Sequence, residues 1–155
     1  MSEPVPFSAA QRRVLVHVLD DLIPASADGR LPAAGQLGAG AYIDQSLDAL
    51  PELKAMIAQG LDALDALARR RHEGGLDALS PEARAAVLLE HAGSEHSFPP
   101  ILIMHAFAGY YQDPRILAVL HMPPRAPHPQ GYEMGADDFS LLDPVRRRPK
   151  LYREC

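Results

Sequence analysis

Proline residues mark the boundaries of most regular segments in this chain. Pro51, Pro81 and Pro114 each stand where a helical apolar period begins, a position at which the missing amide costs nothing. The prolines that follow His121 interrupt every helical pattern there: Pro123, Pro124, Pro127, Pro129, Pro144 and Pro149. The sequence therefore predicts an all-α fold, a small irregular bundle of about six helices over residues 1–122, with a long, extended, Pro-rich C-terminal tail over residues 123–155.

The first three helices are predicted from capping residues and from apolar periodicity. Ser8 and Gln11 form a capping-box pair at the start of the first helix, and Pro24 ends it. Tyr42, Ile43, Leu47 and Leu50 mark the second helix. The third begins at Pro51, and its predicted buried stripe is Leu53, Met56, Ile57, Leu61, Leu64 and Leu67. The arginines at 69–71 fall in its last turn, and Gly74 or Gly75 is expected to stop it.

The last three helices have equally clear start signals. Ser80 caps the fourth, which Gly93 closes, and two prolines at 99 and 100 open the fifth. Residues 101–107 of the fifth leave so little polar surface that it is predicted to be the most buried helix. Asp113 caps a short sixth helix that begins at Pro114.

The tail carries more apolar surface than a solvated linker usually does. Its large side chains include Tyr132, Met134, Phe139, Leu141 and Leu142. Such a segment needs a surface to lie against. Two alternatives stay open at this point: the tail packs on its own helical body, or it packs on a partner subunit.

Charge, cysteine content and the N-terminus exclude several classes of protein. The formal net charge of −5 argues against a nucleic-acid-binding domain. The single cysteine, Cys155, cannot form an intrachain disulfide. The apolar run at 101–107 is far too short to span a membrane. Because residues 1–7 carry neither a signal peptide nor a twin-arginine motif, we expect a cytoplasmic protein, unless a signal-bearing partner exports it.

No pattern of catalytic or metal-binding residues stands out. The densest polar group contains Glu90, Glu95 and His96, and with His91 it forms a histidine and glutamate cluster. The five-residue spacing of His91 and His96 does not place two ligands on one helical face. His105, on the fifth helix, is expected to be a core histidine with one hydrogen-bond partner. We therefore predict no catalytic, cofactor-binding or metal-binding residues in this chain. The alternative is a free-standing helical enzyme or metal-binding protein that uses the histidine and glutamate cluster.

The order of three short motifs resembles a known family. Residues 7–12 read Phe-Ser-Ala-Ala-Gln-Arg, and residues 19–24 end the first helix in Ile-Pro. Residues 107–114 place the aromatic pair Tyr110 and Tyr111 just before Asp113 and Pro114. In this order the motifs resemble the gluconate 2-dehydrogenase subunit 3 family, the small subunit of flavin-dependent sugar dehydrogenases.

The resemblance implies an all-helical, non-catalytic subunit that pairs with a large flavoprotein of the glucose-methanol-choline (GMC) oxidoreductase class. That partner would hold FAD and oxidise sugars, glycosides or related alcohols, while this chain binds no cofactor. A flavoprotein chaperone that leaves after flavin loading is a further alternative. Aromatic and apolar anchors in the tail and around the tyrosine pair are expected to contact the partner: Tyr110, Tyr111, Asp113, Pro114, Tyr132, Phe139, Leu141, Leu142 and Tyr152.

Overall fold

The structure is a computed structural model that describes residues 6–95, 98, 100–124, 131 and 135–149. These residues form helices and turns of 3-10 helix, and none of them lies in a strand, so the predicted all-α class is confirmed. The helices are α1 (Ala9–Leu22), α2 (Ala39–Ser46), α3 (Pro51–Arg71), α4 (Pro81–Ala92), α5 (Ile101–Tyr111), α6 (Pro114–Val119) and α7 (Asp143–Arg146). The chain divides into two compact units, residues 1–124 and 125–155.

The predicted start of α1 is confirmed. The Ser8 hydroxyl accepts a hydrogen bond from the Gln11 amide at 3.1 Å, and the Gln11 side chain accepts one from the Ser8 amide at 2.9 Å. Both amides would otherwise lack a partner in the first turn. The inner face of α1, formed by Val14, Leu15, Val18 and Leu19, packs against α2, α3 and α4 and is the centre of the core.

The second predicted helix is shorter than its apolar pattern suggests. It ends at Ser46, and residues 47–50 form a turn in which the Leu50 amide bonds to the Leu47 carbonyl at 2.9 Å. Leu47 is nevertheless buried, because the turn folds its side chain back into the core. The prediction that the helix extends to Leu50 is therefore wrong. The leucines of the turn have the same spacing along the sequence as apolar residues on one face of a helix.

The third helix begins at Pro51 and carries its three arginines in the last turn, as predicted. It ends at Arg71, and His72 turns to an extended conformation before the glycines expected to stop it. Met56, predicted to be buried, is exposed, whereas Lys54 is buried. The stripe prediction is therefore wrong at Met56, and it missed Lys54.

Lys54 can be buried because its charge is fully paired. Its ammonium lies 2.6 Å from a carboxylate oxygen of Asp44 and 2.6 Å from one of Asp48, and it donates to the Asp44 carbonyl at 2.9 Å. It also lies 5.5 Å above the ring of Phe7. Burial lowers the pKa of Lys54, but the hydrogen bonds to both carboxylates outweigh it, so the pKa lies above its ordinary value. A charged residue thus joins the turn after α2 to the start of α3.

The packing of α2 on α5 depends on a glycine. A Cβ atom at Gly109 would lie 2.7 Å from Cδ1 of Tyr42 in α2, closer than any real contact. The absent side chain lets the α5 backbone approach the tyrosine ring directly. This contact fixes which side of α5 faces the core.

The loop between α1 and α2 is held at three points. Asp20 in α1 accepts from the Gly35 amide at 2.8 Å. The Tyr110 hydroxyl donates to the Pro32 carbonyl at 2.9 Å, and the Arg115 guanidinium donates to the Leu37 carbonyl at 3.0 Å. The position of the loop therefore depends on α1, which directly precedes it, and on α5 and α6, which follow much later in the chain.

The second unit contains two short helical turns within its described residues. A 3-10 turn covers Phe139–Leu142, and α7 follows it directly. Asp138 caps the first turn by accepting from the Ser140 amide at 3.0 Å. The tail is therefore not extended throughout, because the local carboxylate cap is enough to start one turn despite the surrounding prolines.

Candidate partner-binding surface

Helix α5 buries only one of its sides. Leu102, Ala106 and Tyr110 are its buried residues and point towards the core. The prediction that α5 is the most buried helix is wrong. The helix packs on α2 and α6 with one face, and among the described residues no element covers the opposite face.

The outer face of α5, which we define as Ile103, Met104, Phe107, Ala108 and Tyr111, is entirely apolar or aromatic. Its four large side chains are between 43% and 56% exposed. Helical spacing places them along one continuous stripe. The rings of Phe107 and Tyr111 stack in parallel with their centroids 6.0 Å apart. Large contiguous apolar patches that are exposed on a protein are typical of interaction sites.

An apolar groove lies beside this face, between α1, α4 and α5. Its volume is about 390 Å³. Val18 and Leu102 form its buried floor, and the exposed side chains of Leu22, Leu89 and Ile103 form its walls. Ile103 belongs to both the groove and the outer face of α5, so the two surfaces are continuous.

The predicted anchors around the tyrosine pair fall in different environments. Tyr111 lies on the outer face, where it is 44% exposed. Tyr110 is 1% exposed and hydrogen-bonded to the loop, so the structure places it in the core and not on a surface open to a partner. Consecutive residues of an α-helix point in directions about 100° apart, so Tyr110 faces the core while Tyr111 lies on the outer face.

Asp113 and Pro114 begin α6. The Asp113 carboxylate accepts from the Arg115 amide at 2.8 Å and pairs with the Arg115 guanidinium at 2.8 Å. The hydrogen bond to Arg115 holds the pKa of Asp113 below its ordinary value, against a smaller effect of burial. Both residues therefore have a clear role in the local fold.

The predicted anchors of the tail are described only in part. Phe139, Leu141 and Leu142 are all exposed within the second unit. Tyr132 and Tyr152 lie outside the described residues. The role of these residues at an interface stays a prediction.

The histidine and glutamate cluster is not assembled in the described part of the chain. His91 is buried, and its ring lies 4.7 Å from the ring of Phe98. Glu95 is exposed, and His96 lies outside the described residues. Among the residues that are described, no three histidine, cysteine or carboxylate side chains come together to hold a metal ion.

His105 has the environment expected of a structural histidine. It is half-buried, and its Nδ1 lies 3.2 Å from the Ser46 hydroxyl, which itself donates to the Ile43 carbonyl at 3.1 Å. Because that hydroxyl proton is already used, Nδ1 is the donor to Ser46. The residue links α5 to α2.

Sequence reasoning missed the groove and most of the outer face of α5. The available signal was that α5 is apolar all round: a helix of 11 residues with that composition needs neighbours on both sides. In the part of the chain that the structure describes, every helix is too short or too polar to cross a bilayer.

Within the described residues, these features define a class of protein: a small helical body that exposes an apolar helix face and an adjoining apolar groove. Comparison with known families identifies the chain more closely. The family described as gluconate 2-dehydrogenase subunit 3 matches residues 9–120, and the chain belongs to this family. Searches of curated proteins and of solved structures gave no match.

The matched region begins with α1 and includes α5 and the groove. Membership places the chain among the accessory subunits of dehydrogenases. The assembly implied by that membership is a heteromeric complex with a partner dehydrogenase.

Proposed function

We propose that this chain is the non-catalytic small subunit of a flavin-dependent oxidoreductase of the GMC class. The large subunit holds FAD and oxidises a hydroxyl group of a sugar, a glycoside or a related alcohol. FAD bound to that subunit would accept a hydride from the carbinol carbon of the substrate, and a base of the same subunit would take the hydroxyl proton. This chain stabilises the large subunit by binding its native state.

The observation that carries the proposal is the apolar outer face of α5. Ile103, Met104, Phe107 and Tyr111 expose large apolar side chains on the family-matched part of the chain. Interfaces between proteins concentrate their binding energy in a few such residues at the centre of the contact. The face therefore supports a role in which the chain binds a larger protein.

The test compares two methionines of nearly equal exposure. Met104 on α5 is 56% exposed, and Met56 on α3 is 55% exposed. Each is changed to aspartate, and each variant is co-expressed with a GMC-class flavoprotein large subunit from the same organism. Size-exclusion chromatography then records protein and flavin absorbance together. We expect wild type and Met56→Asp to co-elute with flavin, and Met104→Asp to bind at least about 30-fold more weakly, since it buries a carboxylate in an apolar contact.

Equal co-elution of both variants would contradict the role of α5, and circular dichroism of each variant checks that the helices are intact. The same experiment separates a subunit from a chaperone. A subunit remains in the flavin-containing peak, whereas a chaperone raises the flavin content of the large subunit and is absent from that peak.

A further inference from the structure

We infer that the groove between α1, α4 and α5 receives an uncharged anchor side chain, aromatic or branched aliphatic, from the dehydrogenase large subunit. This inference rests on the proposed function and adds the chemistry of the contact. It concerns a concave site beside the outer face of α5, and not that face itself.

The groove is built for apolar contact. Its volume is about 390 Å³. Val18 and Leu102 at the floor offer water no hydrogen bonds, and the buried imidazole of His91, also in the lining, packs against the Phe98 ring. Displacing poorly bonded water by an apolar group favours binding.

The wall of the groove is exposed to an unusual degree. Leu89 is 77% exposed on α4, a helix whose buried residues are Val87 and His91. Leu22 and Ile103 on the opposite side are also exposed. An occupant seated between them would cover three large aliphatic side chains at once.

The charges at the edge of the groove are already paired. Asp21 is the one carboxylate of the described lining, and the Arg84 guanidinium donates to both of its oxygens, at 2.9 and 3.1 Å. Both side chains are largely buried. A charged occupant would lose its hydration and find the Asp21 carboxylate already paired with Arg84, so an uncharged side chain fits this predominantly apolar groove better.

The position of the groove indicates which protein supplies the occupant. Because Ile103 forms part of both surfaces, a large subunit that covers the outer face of α5 extends over the mouth of the groove. Side chains that dominate binding lie in such water-excluding pockets near the centre of an interface. The anchor therefore comes from the same protein that binds α5.

The test fills the groove. Ala85 lines it, whereas Ala86, the next residue on α4, is also exposed but lies outside the described lining. Ala85→Phe and Ala86→Phe make the same chemical change on the same helix. In a titration against the purified flavoprotein, we expect Ala85→Phe to raise Kd at least about tenfold and Ala86→Phe to leave it within about twofold.

A second variant tests the groove independently of the direction in which the introduced phenylalanine points. Leu89→Asp places a charge on the exposed wall without touching the core, and we expect it to raise Kd by a similar factor. Wild-type affinity in both Ala85→Phe and Leu89→Asp overturns the inference. It is also overturned if Ala85→Phe changes only self-association, or only the thermal stability of the isolated chain, because a second copy or another part of this chain then fills the groove.

The inference and the proposed function fail in different ways. If Met104→Asp loses binding and the groove variants retain it, α5 binds the flavoprotein and the groove does not take part. If the wild-type chain does not bind the flavoprotein at all, both are wrong.

Discussion

The outer sides of α3 and α5 differ, although both helices pack on the same core with their inner sides. Most exposed residues of α3 are small or polar, and Met56 is the large apolar exception. They are Pro51, Glu52, Ala55, Met56, Gln59, Asp62, Ala66, Arg69, Arg70 and Arg71. The outer face of α5 is apolar throughout. Packing against the core thus determines the composition of the inner side of a helix only. The composition of the outer side depends on whether that side faces water or another apolar surface.

The two helices are also held in place by different means. Helix α3 is long, and the paired charge of Lys54 ties its first turn to Asp44 and Asp48. Helix α5 is shorter and relies on close approach to Tyr42 through Gly109. Substitutions at these contacts should therefore destabilise the two helices by different amounts.

Substituting Gly109 should have the largest effect. In Gly109→Val the new side chain collides with the Tyr42 ring, so α5 must shift, and we expect a loss of about 2–3 kcal/mol in the free energy of unfolding. Urea unfolding followed by circular dichroism measures it. Ala108→Val, on the exposed side of the same helix, should cost only about 0.5 kcal/mol through helix propensity. Equal losses in the two variants would mean that the contact with Tyr42 does not hold α5.

Removing the charge of Lys54 should destabilise the start of α3. Lys54→Met keeps the apolar stem but leaves the largely buried Asp44 without the ammonium, and we expect a loss of about 1–2 kcal/mol. The same urea titration measures it. Stability equal to that of wild type would show that methionine packing replaces the ion pairs, and that α3 is held by its apolar face alone.

Asp113, just after α5, should make a smaller and pH-dependent contribution. Its pKa in the folded state lies below the ordinary value of 3.8, mainly through the hydrogen bond to Arg115. The stabilisation it adds is therefore present above about pH 4 and is lost as the pH falls through the folded pKa. Asp113→Asn keeps the cap but does not titrate. We expect the difference in Tm between wild type and this variant to narrow below pH 4, and a constant difference would contradict the ion pair.

Helix starts were predictable from the sequence because they depend on neighbouring residues. Ser8, Pro51, Ser80 and Asp113 each begin a helix where capping rules place them. The burial of Lys54 was not predictable, since its two carboxylates lie on the preceding helix and turn. The extent of α2 was also missed, because a buried leucine in a turn has the same spacing as one in a helix.

The candidate site was predictable only in part. The resemblance to the family pointed to the tyrosine pair, and Tyr111 lies on the outer face of α5 while Tyr110 does not. The groove could not be predicted, because it requires three helices to meet at Leu22, Leu89 and Ile103. Residues distant in sequence form such a cavity only after the helices have packed.

The hydrogen bonds that hold the loop before α2 have a consequence for synthesis. Pro32 is anchored by Tyr110, and Leu37 by Arg115, each 78 residues further along the chain. At about 5–20 residues per second, the ribosome delivers these anchors roughly 4–16 seconds after the loop. During that interval α1 to α4 are available to pack, and α5 emerges afterwards. The outer face of α5 is therefore synthesised only after α1 to α4.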